Sequence, residues 1–199
     1  MAAQLVDEVG TNEFTMRLLA ERLHSSAAML YRHVASKDEL MVYVVDRLLA
    51  EVTEAPGDKR PQSWQDAARR IAMRFHRALS QHPNVLPLLA AQVPIGPNGL
   101  AVREQTIGTL VQLGLPPRLA ARAYTTIAQY IVGFAALESN SPTAAHASAI
   151  ASYYRELDTD TYPHTVAAAD ALTGTPLEDE FAEGLQLILD GIDRARRKR

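Results

Sequence analysis

The chain has 199 residues, of which 47% are hydrophobic and 22% are charged, and its formal net charge at pH 7 is -3. This composition is typical of a globular protein, and the negative total argues against a protein that coats nucleic acid over its whole surface. The absence of cysteine from the sequence excludes disulfides, thiolate zinc sites and cysteine nucleophiles.

Apolar residues recur at spacings of three and four along nearly the whole chain, whereas alternation with a period of two is absent. This pattern predicts an all-α fold. Turn residues divide the chain into three short helices before about residue 34, a fourth helix over about 37–53, and longer helices after about residue 63. We interpret the fourth helix as a connector between a small head, residues 1–46, and a larger helical body, residues 47–199.

Hydroxyl side chains mark three of the predicted helix starts. Ser36 stands three residues before Glu39, the spacing of a capping box. Thr175 followed by Pro176 predicts the start of the last helix, because proline is favoured at the first helical position. Ser63 predicts a weaker start of the same kind.

The head contains a short predicted helix, residues 26–34, with an exposed basic and aromatic face. If Leu30 lies at the centre of the inner face, Ala27 and Val34 lie beside it. The side chains that then point outward are Ala28, Met29 and Arg32. Four basic side chains and one acidic side chain between residues 15 and 37 give this segment a local excess of +3.

A second apolar stripe precedes this helix. Its members are Met16, Leu19, Ala20 and Leu23. Only His24 and Ser25 separate the two helices, which predicts a helix-turn-helix unit whose second helix can enter the major groove of DNA. Periodicity alone equally allows a solvated helix in an ordinary helical bundle.

The segment "FTMRLLAERLHSSAAMLYRHVASKDEL", residues 14–40, resembles the DNA-binding segment of the TetR family, the tetracycline-repressor-like regulators of bacteria. The matching features are a leucine-alanine pair, a short turn, leucine-tyrosine-x-histidine, and serine-lysine followed by acids. The resemblance implies a head that binds double-stranded operator DNA. It also implies a helical body that binds a small-molecule effector and forms a homodimer.

The resemblance assigns roles to individual residues of the head. Those implied to lie at or near the bases are Arg17, Ser26, Ala27, Ala28, Met29 and Arg32. Those implied to contact the phosphate backbone are Tyr31, His33 and Lys37. Ala28 and Met29 offer apolar contacts suited to thymine methyl groups, so the two arginines are the candidates for hydrogen bonds to guanine. We expect phosphate contacts to supply most of the affinity.

Two features depart from the family pattern. His24 stands where the family usually has glycine in the turn. A positive φ is uncommon for other residues, although histidine tolerates it better than most, so we expect a slightly remodelled turn. The family's first helix normally follows a basic segment, whereas here "AAQLVDEVG" supplies only the last turns, so the first helix is truncated at its N-terminus. Either the natural start lies upstream or the protein has lost these contacts. A helical small-molecule sensor whose shortened head no longer binds DNA is therefore the alternative function.

Two helices of the body are predicted to form the dimer interface. The apolar stripe of the last helix consists of Leu177, Phe181, Leu185, Ile188, Leu189, Ile192 and Ala195. The helix over 117–138 is apolar around nearly its whole circumference, which predicts burial on both sides. The resemblance suggests that helices 117–138 and 176–196 pair with their copies across a two-fold axis.

A ligand pocket is expected between the helices of the body, apolar with a few polar groups. The candidates are Trp64, Met73, Phe75, His76, Arg103, Tyr124, Gln129, Tyr130 and Phe134. His76 and Tyr124 are the preferred polar contacts, although aromatic residues at helical spacing are also typical of an ordinary core. The resemblance implies that the effector tilts the 37–53 connector, alters the distance between the two heads and lowers operator affinity.

Other chemistry finds no support in the sequence. Histidine pairs at metal-binding spacing, a nucleophile elbow and a phosphate-cradling loop are all missing, so we expect no metal, no cofactor and no enzymatic activity. Neither a basic start followed by an apolar run nor an apolar segment long enough to span a bilayer is present. We therefore expect a cytoplasmic protein without membrane contact.

Overall fold

The computed structural model describes residues 1–53, 59–91, 94–140 and 144–198, without the side chains of residues 144 and 145. Every regular element within these ranges is a helix, which confirms the predicted all-α fold. The head consists of α1 (Ala2–Glu13), α2 (Met16–Arg22), α3 (Ala27–Tyr31) and α4 (Lys37–Leu49).

The body continues the helical chain. Its elements are α5 (Trp64–Gln81), a short 3-10 turn (Pro83–Val85), α6 (Leu86–Ala91), α7 (Pro97–Gln112), α8 (Pro117–Glu138), α9 (Ala144–Arg155), α10 (Pro163–Ala167), α11 (Ala169–Thr173) and α12 (Leu177–Arg197). Helix α8 packs against α5, α6, α7 and α12, whereas α9, α10 and α11 pack against one another. Within the described ranges, no helix combines the length and the apolar character needed to cross a bilayer.

Side-chain caps explain where several helices begin. Ser36 accepts a hydrogen bond from the backbone N–H of Glu39 at 3.0 Å, and the Glu39 carboxylate accepts one from the N–H of Ala35. Ser63 caps α5 in the same way, so both of these predictions are confirmed. The prediction for Thr175 is wrong: Pro176 occupies the cap position of α12, and the Thr175 hydroxyl donates to the carbonyl of Ala171 instead.

The connector helix is shorter than predicted. It ends at Leu49 rather than near residue 53. Shortly after Leu49 the backbone N–H groups donate to the carbonyl three residues earlier, as in a 3-10 turn, instead of four residues earlier as in an α-helix. The N–H of Glu51 donates to the carbonyl of Leu48 at 3.0 Å, and the N–H of Val52 donates to that of Leu49 at 3.1 Å.

One continuous apolar core joins the head to the body through α4. In the head it includes Phe14, which is fully buried, and the start of α2. The buried apolar residues of α4 are Met41, Val44, Val45, Leu48 and Leu49. The guanidinium of Arg22 donates two hydrogen bonds to the Glu8 carboxylate, at 3.1 and 2.5 Å, and so ties α2 to α1. The head is therefore built onto the body through a shared helix.

Candidate DNA interface and ligand cavity

The second helix of the turn motif, α3, has no buried residue. Ala27, Leu30 and Val34 are half-buried, which matches the inner face expected from the helical phase. Ala28, Met29 and Arg32 are exposed on the opposite side. The structure thus presents a small apolar patch beside a guanidinium to solvent, as contact with base edges requires.

The turn between α2 and α3 closes around a histidine with a positive φ. His24 has φ of 51° and is the one residue other than glycine with a positive φ in the part of the chain described. Its N–H donates to the carbonyl of Glu21, and the N–H of Ser25 donates to that of Ala20. Ser26 then caps α3 by accepting from the N–H of Met29 at 3.2 Å. The turn closes without glycine because histidine tolerates the left-handed region better than most residues.

Three further predicted contact residues lie at the surface. Tyr31 is 51% exposed and His33 is exposed beside it. Arg17, at the start of α2, donates from Nε to Glu21 at 3.0 Å, and both side chains are solvated. Exposed ion pairs of this kind contribute little, so a phosphate or a base can replace the glutamate as the partner of Arg17.

Lys37 does not project from the surface as expected. Its ammonium donates to the backbone carbonyls of Thr11 and Phe14, at 2.9 and 2.7 Å, and lies 5.7 Å from the centroid of the Phe14 ring. The carbonyls at the end of a helix attract a cation, and the aromatic face adds to that attraction. In this structure Lys37 therefore fastens α4 onto α1, and its contact with a phosphate stays a prediction.

The body encloses a cavity of about 880 Å³ between α4, α5, α6, α7 and α8. Its lining is mostly apolar and includes Leu49, from the connector helix itself. The polar and charged residues of the lining are Arg103, Thr106, Tyr124, Thr125 and Gln129. A volume near the top of the range for small-molecule sites makes this cavity the candidate effector site.

Four of the nine predicted ligand residues line the cavity, and five lie elsewhere. Those in the lining are Phe75, Arg103, Tyr124 and Gln129. Those outside it are Trp64, Met73, His76, Tyr130 and Phe134. Trp64 is buried with only 3% of its surface exposed, and Met73 packs against the apolar core.

The other three form an aromatic cluster around Phe181 that joins α5, α8 and α12. The imidazole of His76 stacks on the Phe181 ring with centroids 4.2 Å apart, and its Nε2 lies 2.9 Å from a carboxylate oxygen of Glu138. Tyr130 donates from its hydroxyl to the carbonyl of Phe181 at 2.9 Å, and burial together with the charge of Glu180 raises the pKa of the phenol. Phe134 meets Phe181 edge to face. These rings hold the body together and do not face the cavity.

Two threonines that sequence reasoning missed contribute to the lining. Thr106 donates from its hydroxyl to the carbonyl of Val102 at 2.7 Å, and Thr125 donates to that of Ala121 at 3.1 Å. Both hydroxyl hydrogens are thus engaged within their own helices. Thr106 follows Arg103 by three residues and Thr125 precedes Gln129 by four, so the helical period of α7 and α8 would have pointed to these neighbours.

A buried carboxylate connects the head to the helix that carries Arg103. Asp46 of α4 is 7% exposed and accepts from the backbone N–H groups of Gly99 and Asn98, at 2.9 and 3.3 Å. It also accepts from the Asn98 side-chain amide at 2.9 Å. Asp46 therefore caps the first turn of α7 from another helix. A methyl group on Gly96, the cap residue of α7, would lie 2.3 Å from its Oδ1, so this close approach requires glycine.

The sequence carried a signal for this contact. An acid at position 46 interrupts the otherwise apolar face of a predicted helix, and buried carboxylates require partners. The partner is the first turn of α7, where Asn98 lies 52 residues after Asp46 in the sequence. The spacing of residues along the sequence does not reveal this contact.

Comparison with known proteins identifies the class to which this architecture belongs. Residues 1–44 match the family model described as bacterial regulatory proteins of the tetR family. Residues 55–196 match the model of the tetracyclin repressor-like C-terminal domain. The two family models thus match both parts of the chain. One covers the head with its turn motif, and the other covers the helical body with its cavity.

Relatives and solved structures agree with the family models. An HTH-type transcriptional regulator of Saccharopolyspora erythraea is 29% identical over 194 residues, which covers 96% of this chain and 80% of that protein. The transcriptional repressor DrrR1 of Streptomyces coeruleorubidus is 27% identical over 202 residues, which covers 96% of this chain and 74% of that protein. The TetR-family protein ActR of Streptomyces coelicolor, solved in complex with actinorhodin, superimposes with a TM-score of 0.89 at 28% identity, covering 98% of this chain and 94% of that one.

The chain belongs to the TetR family of bacterial regulatory proteins. It is a DNA-binding transcriptional regulator with a helix-turn-helix head and a helical C-terminal domain. This assignment favours the regulator over the alternative of a sensor whose head no longer binds DNA.

Proposed function

We propose that this regulator is a repressor that binds operator DNA as a homodimer and is released by a small molecule bound in the body cavity. The observation that carries the proposal is that one helix serves both parts. Helix α4 closes the head, lines the cavity through Leu49, and caps α7 through Asp46. A molecule in the cavity therefore touches the element that positions the turn motif.

The division of the chain follows from the same helix. We take residues 1–46 as the DNA-binding head and residues 47–199 as the regulatory and dimerisation domain, with the boundary inside α4. A helix shared by two domains transmits displacement, because it cannot move in one without moving in the other. The ligand shifts this equilibrium only by the difference between its affinities for the two conformations.

The head supplies the chemistry for DNA. Arg17 and Arg32 are the candidates for hydrogen bonds to guanine, Ala28 and Met29 suit thymine methyl groups, and Tyr31 and His33 lie beside them at the surface. A protein that acts on the bacterial chromosome works in the cytoplasm, where we place it.

Helices α8 and α12 are proposed as the dimer interface. The predicted apolar stripe of α12 packs inside the protomer, where Phe181, Leu185 and Leu189 are buried. The proposed interface is therefore the opposite face of α12, on which Leu187 is 69% exposed. On the same face, Glu180 and Glu183 precede Leu187, and Arg194 and Lys198 follow it. When two copies of α12 cross in opposite directions about a two-fold axis near Leu187, the acids of one lie opposite the bases of the other. Such a face is complementary to itself, and a dimer can read two half-sites separated by about one helical turn of DNA.

The test of the proposal is operator binding by variants of the exposed face of α3. Intergenic DNA from either side of the coding region is titrated in a mobility-shift assay with wild type and with the double variant Arg32→Ala, Tyr31→Phe. Loss of a bidentate base contact costs about 1–3 kcal/mol, so we expect at least about a 5-fold loss of specific affinity.

The matched control is Arg77→Ala, which removes one positive charge from an exposed position of α5. We expect its shift to equal that of the wild type. An unchanged shift in the double variant would rule out α3 as the contact surface, and a wild type that shifts none of the fragments would favour the sensor.

A further inference from the structure

The cavity lining has an asymmetric charge. Arg103 is its one charged side chain, and it contains neither a carboxylate nor an imidazole among the described residues. We propose that the ligand of this cavity is an anionic, largely apolar aromatic molecule whose acidic group is bound by Arg103. The inference rests on the proposed function, since it takes the cavity as the effector site, and it names the chemical class of the effector.

The guanidinium of Arg103 is held in place and still has donors to offer. Its Nη2 donates to the carbonyl of Pro94 at 3.1 Å, and Cζ lies 5.9 Å from the centroid of the Tyr124 ring. Within the described chain this is its one hydrogen bond, and it forms no ion pair with a carboxylate there. A guanidinium carries five N–H donors in a planar fork that matches an oxyanion bidentately. The fork is therefore pre-positioned and lacks its charge partner.

The remaining polar groups of the cavity favour an acceptor-rich ligand. The hydroxyl hydrogens of Thr106 and Thr125 are used within α7 and α8. The phenol of Tyr124 and the amide of Gln129 also line the cavity and can donate. Together with Arg103 they provide donors to carboxylate, phenolate or carbonyl oxygens.

The apolar part of the lining determines the rest of the ligand. Phe75 and Tyr124 contribute ring faces, and Val102, Ile107 and Ile131 contribute aliphatic surface. Flat aromatic systems pack well against such rings, and each buried apolar surface adds to affinity. A cationic ligand would face Arg103 without a carboxylate to balance it, and a neutral ligand would bury the guanidinium unpaired. An anion avoids both costs.

The anion site lies next to the connection with the head. Arg103 follows Gly99 by four residues, so both lie on one face of α7. The N–H of Gly99 donates to Asp46 of α4. An anion bound by Arg103 therefore acts on the helix whose first turn is fixed to the connector.

The experiment compares two fluorescent probes with the same aromatic skeleton. Anilinonaphthalene sulfonate is anionic, whereas phenylnaphthylamine lacks the sulfonate and is neutral. Both are titrated, without DNA, into wild type, Arg103→Gln and the control Arg118→Gln, which changes an exposed residue of α8 outside the lining. A third variant, Ala128→Phe, places a ring in the cavity and reports whether the probes bind there.

We expect Arg103→Gln to weaken binding of the sulfonate by about 10-fold or more, as for loss of a charge-assisted hydrogen bond. Binding of the neutral probe should not weaken, because Arg103→Gln removes the guanidinium that this probe would leave unpaired, and retained binding also shows that the variant is folded. Arg118→Gln should alter neither probe, and Ala128→Phe should weaken both.

Two results would overturn the proposal. One is an equal change in affinity for both probes, or no change for the sulfonate, in Arg103→Gln. The other is sulfonate binding that survives Ala128→Phe, which would locate the anion site outside the cavity. Because these titrations contain no DNA, their failure is distinguishable from failure of the wild type to bind operator fragments.

Discussion

The recognition surface of the head and the cavity of the body are built in opposite ways. Helix α3 is five residues long and buries none of them, and its cap and its exposed side chains all lie within residues 26–33. The cavity lining extends from Leu49 to Gly133 and draws on five helices. Local helical phase therefore decides which side chains of the head face outward, whereas the cavity exists only once distant helices have packed.

The two regions also differ in how they bind. The head presents solvated cations, so its affinity depends on phosphate contacts and falls with salt. The cavity is apolar with a single guanidinium, and its affinity depends on burial and on one charge. Helix α4 is the element that both regions share.

Breaking the proposed dimer should have the largest effect, because operator binding by two heads would depend on a surface of the body. Leu187→Glu introduces a charge at the exposed apolar position of α12. Two heads linked in one dimer bind with an avidity about 10²-fold to 10⁴-fold above that of one, and we expect a loss of operator affinity in that range. Sedimentation at micromolar concentration should show a monomer with intact helical circular dichroism.

The matched control is Leu100→Glu, which places the same charge at a 49% exposed leucine of α7. We expect that variant to sediment as a dimer and to bind DNA normally. A dimeric Leu187→Glu protein would show that α12 is not in the interface.

Removing the carboxylate of Asp46 should have the next largest effect. Asp46→Ala leaves the N–H groups of Asn98 and Gly99 without their buried acceptor. Hydrogen bonds to charged groups contribute about 1.5–3 kcal/mol, so we expect the free energy of unfolding to fall by about 2–3 kcal/mol. Urea unfolding followed by fluorescence of Trp64, the single tryptophan, measures this change.

The control for that prediction is Asp38→Ala, at an exposed position in the first turn of the same helix. Its loss should cost less than about 1 kcal/mol, as expected for a charge near a helix N-terminus. Equal costs for the two variants would mean that the cap of α7 by Asp46 contributes no more than a surface charge.

The sequence predicted the head more accurately than the cavity, for physical reasons. The exposure of Ala28 and Met29 depends on neighbours within a few residues, so helical phase was sufficient. The direction of the Lys37 side chain depends on the end of α1, to which it donates hydrogen bonds. From its position in the sequence, this side chain was expected to point outward. In the body, the predicted ligand residues were chosen largely because they are aromatic. His76 instead stacks on Phe181, which comes from a helix distant in the sequence, so its place in a core cluster could not be predicted.

The smallest predicted effect concerns pH and the second connection between head and body. His82, which follows α5, places Nδ1 2.7 Å from a carboxylate oxygen of Asp7 in α1 and Nε2 3.3 Å from one of Glu51, just after α4. Burial opposes protonation, but the hydrogen bonds and charges of the two carboxylates outweigh it and raise the pKa of His82 above its usual value of 6.5. The protonated imidazole thus bridges the head to the end of α5.

A raised pKa in the folded state stabilises the fold where the imidazole is protonated. This contribution is fully present below pH 6.5 and is lost as the pH rises through the folded-state pKa. His82→Gln should therefore be less stable than wild type by an amount below about 1 kcal/mol at low pH, and the difference should shrink as the pH rises. Urea unfolding from about pH 5 to about pH 9 measures it. The exposed His164→Gln is the control, and a His82→Gln difference that is constant or grows with pH would show that the charged bridge does not form.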